Sequence, residues 1–164
     1  MMLEFHIRHL EPSDYPYIIS VINDWWGGRR MADMLPKLFF VHFRQTSFVA
    51  EQGENIVGFL VGFVSQTFSN EAYIHFVGVH PDLRKKGLGC ALYERFFTST
   101  KKLGCNVVRC VTSPINKRSV SFHLRMGFSI EPGSKNVDSI PVAEDYDGSG
   151  EDRVLFYKAL DAQT

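Results

Sequence analysis

Three features of this sequence predict an α/β fold, a mixed and mostly antiparallel sheet flanked by helices. Apolar and polar residues alternate in several short runs, the mark of half-buried strands. Two such runs flank Gly53 as a hairpin, and a further strand, Ala72 to Val79, passes through a tight turn into a helix entered at Gly87-Leu88-Gly89. The rest of the chain is arranged around that strand, turn and helix.

The first strand is Leu3 to Arg8, in which Phe5 and Ile7 alternate with polar neighbours. Pro12-Ser13-Asp14 then supplies helix-capping residues, and Tyr17, Ile18, Val21 and Ile22 recur at helical spacing. That helix should stop near Trp25-Trp26-Gly27-Gly28, and a second helical stretch runs from Met31 to Phe43, bent or interrupted by Pro36. Ser47 to Glu51 and Asn55 to Phe68 form the hairpin, with Gly58 and Gly62 marking bends or close approaches inside its long strand. Beyond the central helix come a strand from Asn106 to Thr112, a short amphipathic helix ending at Gly127-Phe128, a strand beginning Ser129-Ile130-Glu131, and a last strand, Val154 to Leu160. The connection from Asn136 to Asp152 holds six carboxylates and no lysine or arginine. It reads as a solvated acidic turn, or as a lip steering a cationic amine into a cleft.

At 164 residues with 45% hydrophobic side chains, the chain is large enough for one substantial core, and a single domain over 1–164 is the simplest division. Eighteen basic and eighteen acidic residues balance, which argues against a nucleic-acid or anionic-membrane partner. No apolar run approaches the roughly twenty residues of a membrane span, and Met1-Met2-Leu3-Glu4 lacks a signal-peptide pattern, so a cytoplasmic protein is expected. Cys90, Cys105 and Cys110 have no metal-ligand spacing and read as reduced, mostly buried thiols. No metal is expected. Cys90, just after the glycine turn, could be activated by the helix start, but no Cys-His arrangement can be read near it.

Tyr73, His75, Val77 and Val79 fall on one face of the central strand, because side chains alternate with period two. Arg84, Lys85 and Lys86 then surround the helix entrance with positive charge, and Gly87 and Gly89 remove side chains that would block approach to the backbone. First-turn amides have no partner within a helix, and the aligned peptide dipoles make that end positive. The result is an anion site of diphosphate size. A Walker loop would need Lys-Ser/Thr after its last glycine, and a dinucleotide fingerprint a third glycine where Leu92 stands. Neither fits.

Arg84-Lys85-Lys86-Gly87-Leu88-Gly89, after a strand ending Val77-Gly78-Val79-His80-Pro81, resembles the Arg/Gln-x-x-Gly-x-Gly/Ala signature of the GCN5-related N-acetyltransferases. Ser113-Pro114-Ile115-Asn116 leading into a helix that finishes Met126-Gly127-Phe128 resembles the second signature of that superfamily, in the same order. The resemblance implies a GNAT-like twisted sheet, acetyl-CoA as co-substrate, and transfer of acetyl to a small-molecule amine or peptide by direct attack. Its specific motifs cover residues 72 to 128. It implies cofactor binding by Val77, Gly78, Val79 and the run from Arg84 through Lys85, Lys86, Gly87 and Leu88 to Gly89, with Asn116 on the pantetheine side. An oxyanion donor would be the backbone N–H of Val77 or Val79.

For proton transfer, His75 is the candidate base, since an imidazole with an ordinary pKa near 6.5 accepts a proton at physiological pH. The family often has a glutamate on this strand, nearer Tyr73 here, while the histidine gives a local likeness to arylalkylamine acetyltransferases. The family's usual acid is a tyrosine four residues before the second-signature glycine, where this chain has His123. Either histidine could instead be a core residue with a satisfied hydrogen bond. In the family the first helical pair overhangs the acceptor side, so Trp25, Trp26, Arg29 and Arg30 admit two readings. They could hold an aromatic or anionic acceptor, or the tryptophans could pack beneath the loop with the arginines in solvent. The rival from another class is a catalytically silent acyl-CoA-binding or regulatory module. An exposed edge strand such as the last one would permit a homodimer.

Overall fold

A computed structural model describes residues 4–161, so Leu3, with which the first expected strand begins, lies outside the described residues. The main sheet has seven strands in the order β1-β2-β3-β4-β5-β9-β6, and β7 pairs with β8 in a separate two-stranded sheet. The strands are β1 His6–His9, β2 Phe48–Gln52, β3 Asn55–Val64, β4 Glu71–Val79, β5 Val107–Thr112, β6 Ser129–Ile130, β7 Lys135–Val137, β8 Ile140–Val142 and β9 Val154–Ala159. The helices are α1 Tyr15–Trp25, α2 Leu38–His42, α3 Leu88–Lys102 and α4 Lys117–Arg125. Pairs β1–β2, β2–β3, β5–β9 and β6–β9 are antiparallel, and β4–β5 is parallel. None of the helices described is long and apolar enough to cross a membrane.

The chain divides into two compact units, residues 1–64 with 74–103, and residues 65–73 with 104–164. In the first, α1 turns Ile18, Ile22 and Trp25 inward against Leu35, Phe40, Val49, Phe59 and Phe76. The expected helix from Met31 to Phe43 is broken: a 3-10 turn, Ala32–Met34, is followed by α2. Pro36, which cannot donate the backbone hydrogen bond a helix interior needs, lies in the gap. Asn23 holds this connection together, its Oδ1 accepting from the amides of Met31 at 2.8 Å and Ala32 at 3.0 Å. Buried Asp14 accepts from the Glu11 amide and from both Arg8 terminal nitrogens, and Arg8 also donates to Glu51 at 2.8 Å. The hydrogen bond to Asp14, with Glu51 adding to it, raises the Arg8 pKa further.

Gly58 marks a bend, as its place within a strand suggests. The β2–β3 register passes from Ala50↔Gly58 to Glu51↔Ile56, leaving Val57 as a bulge whose carbonyl accepts from the His80 amide at 2.8 Å. A Cβ on Gly58 would stand 3.2 Å from Leu88 Cδ2 and 3.3 Å from Leu92 Cδ1. The missing side chain therefore lets the first turn of α3 seat closely on the sheet. β3 ends at Val64 rather than running to Phe68, because Ser65 Oγ accepts from the Thr67 and Phe68 amides and closes a turn there.

In the second unit, β9 lies inside the sheet, with β5 on one side and Tyr157 and Phe156 paired to β6 on the other. The last strand is thus not the exposed edge expected for a homodimer. The acidic connection is mostly exposed, as expected of a solvated turn, but it carries pairing of its own. It contains the β7–β8 hairpin, reversed by Asp138 and Ser139, both at positive φ (50° and 67°). Its carboxylates are paired by the cations that flank it: Lys135 with Asp152 at 2.8 Å, Arg153 with Asp147 at 2.8 Å, and Lys117 with Asp138 at 3.2 Å. Three cations against six carboxylates leave the segment negative, with its charge tied into ion pairs along the surface. Cys105 and Cys110 are buried, whereas Cys90 is exposed, contrary to the expectation for all three, and Cys105 lies ahead of β5 rather than within a strand.

Candidate active site

The turn from β4 to α3 is built on backbone conformation. A 3-10 turn, Pro81–Leu83, follows β4, and His80 Nδ1 accepts from the Asp82 amide at 3.1 Å. Lys85 and Gly87 then adopt left-handed conformations, φ 63° and 87°. Gly87 is the N-cap of α3 and no side chain caps the helix, so the amides of Leu88, Gly89 and Cys90 have no acceptor within it. Nothing lies within 4 Å of where a Gly87 Cβ would be, and Lys85 and Lys86 are exposed beside it. Leu88 itself is fully buried, so only its backbone can meet a ligand.

The other expected residues of this unit are less exposed to a ligand than their types suggest. Arg84 is half-buried and points at carbonyls: its Nε donates to Val79 O at 3.3 Å and its Nη2 to Trp25 O. Gly78 is buried where a Cβ would stand 2.5 Å from Phe59 Cε1 and 3.0 Å from a ring carbon of Trp26, while Val77 and Val79 share the half-buried face. Trp25, offered above as a ligand platform, is a core residue. It stacks on Phe59 at 6.0 Å and meets His80 edge-on at 5.5 Å. Trp26 leans on Phe76 at 4.9 Å but is only half-buried, and Arg29 and Arg30 are exposed, Arg30 pairing with Asp33 at 3.0 Å.

His75 sits on the expected face of β4. Its Nε2 lies 2.6 Å from Met34 O, and its ring stacks on Phe39 at 4.4 Å with 9° between planes. A carbonyl only accepts, so Nε2 carries the proton and Nδ1 keeps the lone pair. These contacts could not be read from sequence, because Met34 lies in the connection after α1 and Phe39 in α2.

The second unit holds the remaining three. Asn116 is the N-cap of α4, its Oδ1 accepting from the Ser119 amide at 3.2 Å, which commits that oxygen to the helix. The helix ends in a Schellman closure: Gly127 (φ 91°) donates to Leu124 O at 3.1 Å and Phe128 to His123 O at 3.0 Å. The Asn-to-Gly-Phe signature is therefore in part a pair of helix caps. His123 stacks on Phe156 at 4.7 Å and its Nδ1 lies 2.7 Å from Ser119 O. Burial holds its pKa below the usual histidine value, against the opposing pull of the Ser119 carbonyl. Tyr73 is half-buried on β4, and burial raises its phenol pKa, with the fields of Tyr146, Cys110 and Asp147 acting the same way. It stays protonated at neutral pH.

A strand turning through left-handed residues into a helix start that no side chain caps is the feature around which this α/β protein is built. The chain belongs to the acetyltransferase (GNAT) family, whose model matches residues 7–128. It is 34% identical over 85 residues to an uncharacterised N-acetyltransferase of Methanocaldococcus jannaschii, covering 49% of this chain and 38% of that one. It is 28% identical over 78 residues to the L-2,4-diaminobutyric acid acetyltransferase of Halalkalibacterium halodurans, covering 48% and 41%. The chain thus spans less than half the length of these curated relatives. A solved structure of yncA, a putative acetyltransferase from Salmonella typhimurium with its cofactor acetyl-CoA, shares the fold, with TM-score 0.72, 18% identity, and coverage of 99% of this chain and 97% of that one.

The His123 environment gives a pH dependence of known sign. With its folded pKa below the ordinary 6.5, the unfolded chain takes up the proton first as pH falls. The stability contributed by the neutral, buried ring is whole above about pH 6.5 and is lost as pH falls from there toward the folded value. Urea unfolding of the parent between pH 7 and pH 5 should therefore show a loss of stability that is smaller in His123→Phe. An equal loss in both would contradict the assignment.

Proposed function

We propose that this chain is an acetyl-CoA-dependent N-acetyltransferase that transfers an acetyl group to a primary amine by direct attack in a ternary complex, with residues 1–164 working as one domain. The observation that carries this reading is the β4–α3 turn. Unpaired amides at the start of α3, a left-handed glycine with open space around it, and two exposed lysines suit a diphosphate. The acetyl-CoA named with the structurally similar yncA supports the same cofactor. The residues fit that group: the amides of Leu88, Gly89 and Cys90 donate to the diphosphate, and Lys85 and Lys86 offset its charge. Acetyl-CoA supplies the thioester carbonyl that the amine attacks.

His75 is the base in this reading. With Nε2–H held by Met34 O, its Nδ1 takes the proton that the amine loses as the C–N bond forms. Tyr73 acts as a neutral donor. His123 donates to the departing thiolate only as an imidazolium, a form that burial disfavours, so its role is to orient through Ser119 rather than to supply a proton. On the acceptor side Trp25 drops out, leaving Arg29, Arg30 and the exposed edge of Trp26 for a small amine or peptide. A silent acyl-CoA-binding module is the second reading, favoured by one observation: both histidines rest on backbone carbonyls.

Acetyl-CoA at about a hundred times its Kd should stabilise the parent by about 2.7 kcal/mol, a shift of a few degrees in Tm. The same shift should survive in Gly87→Ala and vanish in Gly87→Glu, since both strain the backbone alike but only one places a carboxylate at the anion site. No shift in a folded parent would contradict the reading. In an amine screen, His75→Gln, which can still donate to Met34 O, should lower kcat about 10²-fold. An unchanged kcat would remove His75 as base, and no turnover of any amine by the parent would favour the silent module.

A further inference from the structure

Arg84 opens the glycine signature, and its charge would be expected to face the anion. Both hydrogen-bond acceptors described for it are instead backbone carbonyls, Val79 O at the end of β4 and Trp25 O in the last turn of α1. The last carbonyls of a helix have no partner within it, and that end carries partial negative charge. α1 has no basic residue of its own in its last turn. Arg84, arriving from 59 residues away, supplies the missing donor and the missing positive charge.

The same end of α1 organises the connection that follows. Asn23, in its last turn, holds the Met31 and Ala32 amides through Oδ1, and its backbone carbonyl accepts from Gly28 at 2.8 Å. Gly27 donates to Asp24 O at 3.0 Å, and Met34 donates to Met31 O at 3.0 Å. At its far end Met34 O meets His75. The segment 26–34 is therefore a strap pinned to β4 and its turn at two points, by Arg84 where it begins and by His75 where it ends. Between the pins Gly27 and Gly28 sit at positive φ, 66° and 89°, with nothing within 4 Å of either Cβ position. Besides the pins, Trp26 leans on Phe76 of β4 at 4.9 Å, and Met31 and Ala32 pack against the core.

We propose that Arg84 is a positioning residue that clamps the end of α1 to the β4–α3 turn, so that occupation of the turn by the acetyl-CoA diphosphate is transmitted to the strap 26–34 and to Met34 against His75. The clamp stands on the hydrogen bonds of Arg84. The transmission rests on the function proposed above.

Amide hydrogen exchange tests both parts separately. In the protein without ligand, Arg84→Met, which keeps an apolar stem and removes the donors, should speed exchange in residues 26–34 by about tenfold while β2 and β3 amides keep their rates. Arg84→Lys, with one ammonium for two carbonyls, should fall between. Unchanged exchange in 26–34 in both variants overturns the clamp. With acetyl-CoA at a concentration shown by calorimetry to saturate each protein, exchange in 26–34 should slow in the parent and not in Arg84→Met. Equal slowing in both, or none in a saturated parent, overturns the transmission. A parent that binds no acetyl-CoA overturns the proposed function and the transmission with it, while the ligand-free comparison still decides the clamp.

Discussion

Everything proposed here depends on how the chain gets from β4 into α3. A left-handed Lys85 and a left-handed Gly87 turn it sharply, and no side chain caps the first amides of the helix that begins there. The start of α3 is anchored from below by Leu88 and Leu92, which reach the sheet where Gly58 leaves room beside the Val57 bulge. The bulge also ties off β4, since Val57 O accepts from the His80 amide. Gly58 and Gly87, distant in sequence, thus act on one feature, one seating the inside of the helix start and the other shaping its outside.

The polar groups around this turn are mostly engaged with the protein itself. Arg84 serves carbonyls, and His75 donates to Met34 O. A charged or titratable side chain in a signature motif can thus hold the scaffold while backbone amides hold the ligand. This division suits a diphosphate, which amides and a helix dipole bind without the ordering cost of long side chains. The His75 ring on β4 is likewise held by the protein, stacked on one side against Phe39.

The parts of the fold legible in sequence were those set by local rules. Period-two alternation marked β4, whose residues alternate between buried and half-buried from Glu71 to Val79, and the glycine turn marked the start of α3. The break at Pro36 and the stop of α1 near Trp26 followed from local chemistry too. What sequence did not reveal depends on distant partners. Trp25 is buried because Phe59 and His80 cover it. The β7–β8 hairpin carries no strong turn signature because its left-handed residues are Asp138 and Ser139 rather than glycine or asparagine, and the ion pairs of the acidic run are made with Lys135 and Arg153 at its borders and with the distant Lys117. The place of β9 inside the sheet is a matter of strand order, which alternation does not encode. The candidate site divides the same way: the glycine turn into α3 could be read from spacing, whereas the partners of His75 and Arg84 could not.

The central claim is that the α3 entrance recognises a diphosphate, and the most direct measurement is calorimetric titration of the protein with acetyl-CoA and, in parallel, with acetyl-pantetheine, which has the same thioester arm and no phosphate. The account predicts that removing the diphosphate end weakens binding by about a hundredfold or more, the equivalent of about 2.7 kcal/mol for several charge-assisted hydrogen bonds. Equal affinities for the two would contradict it.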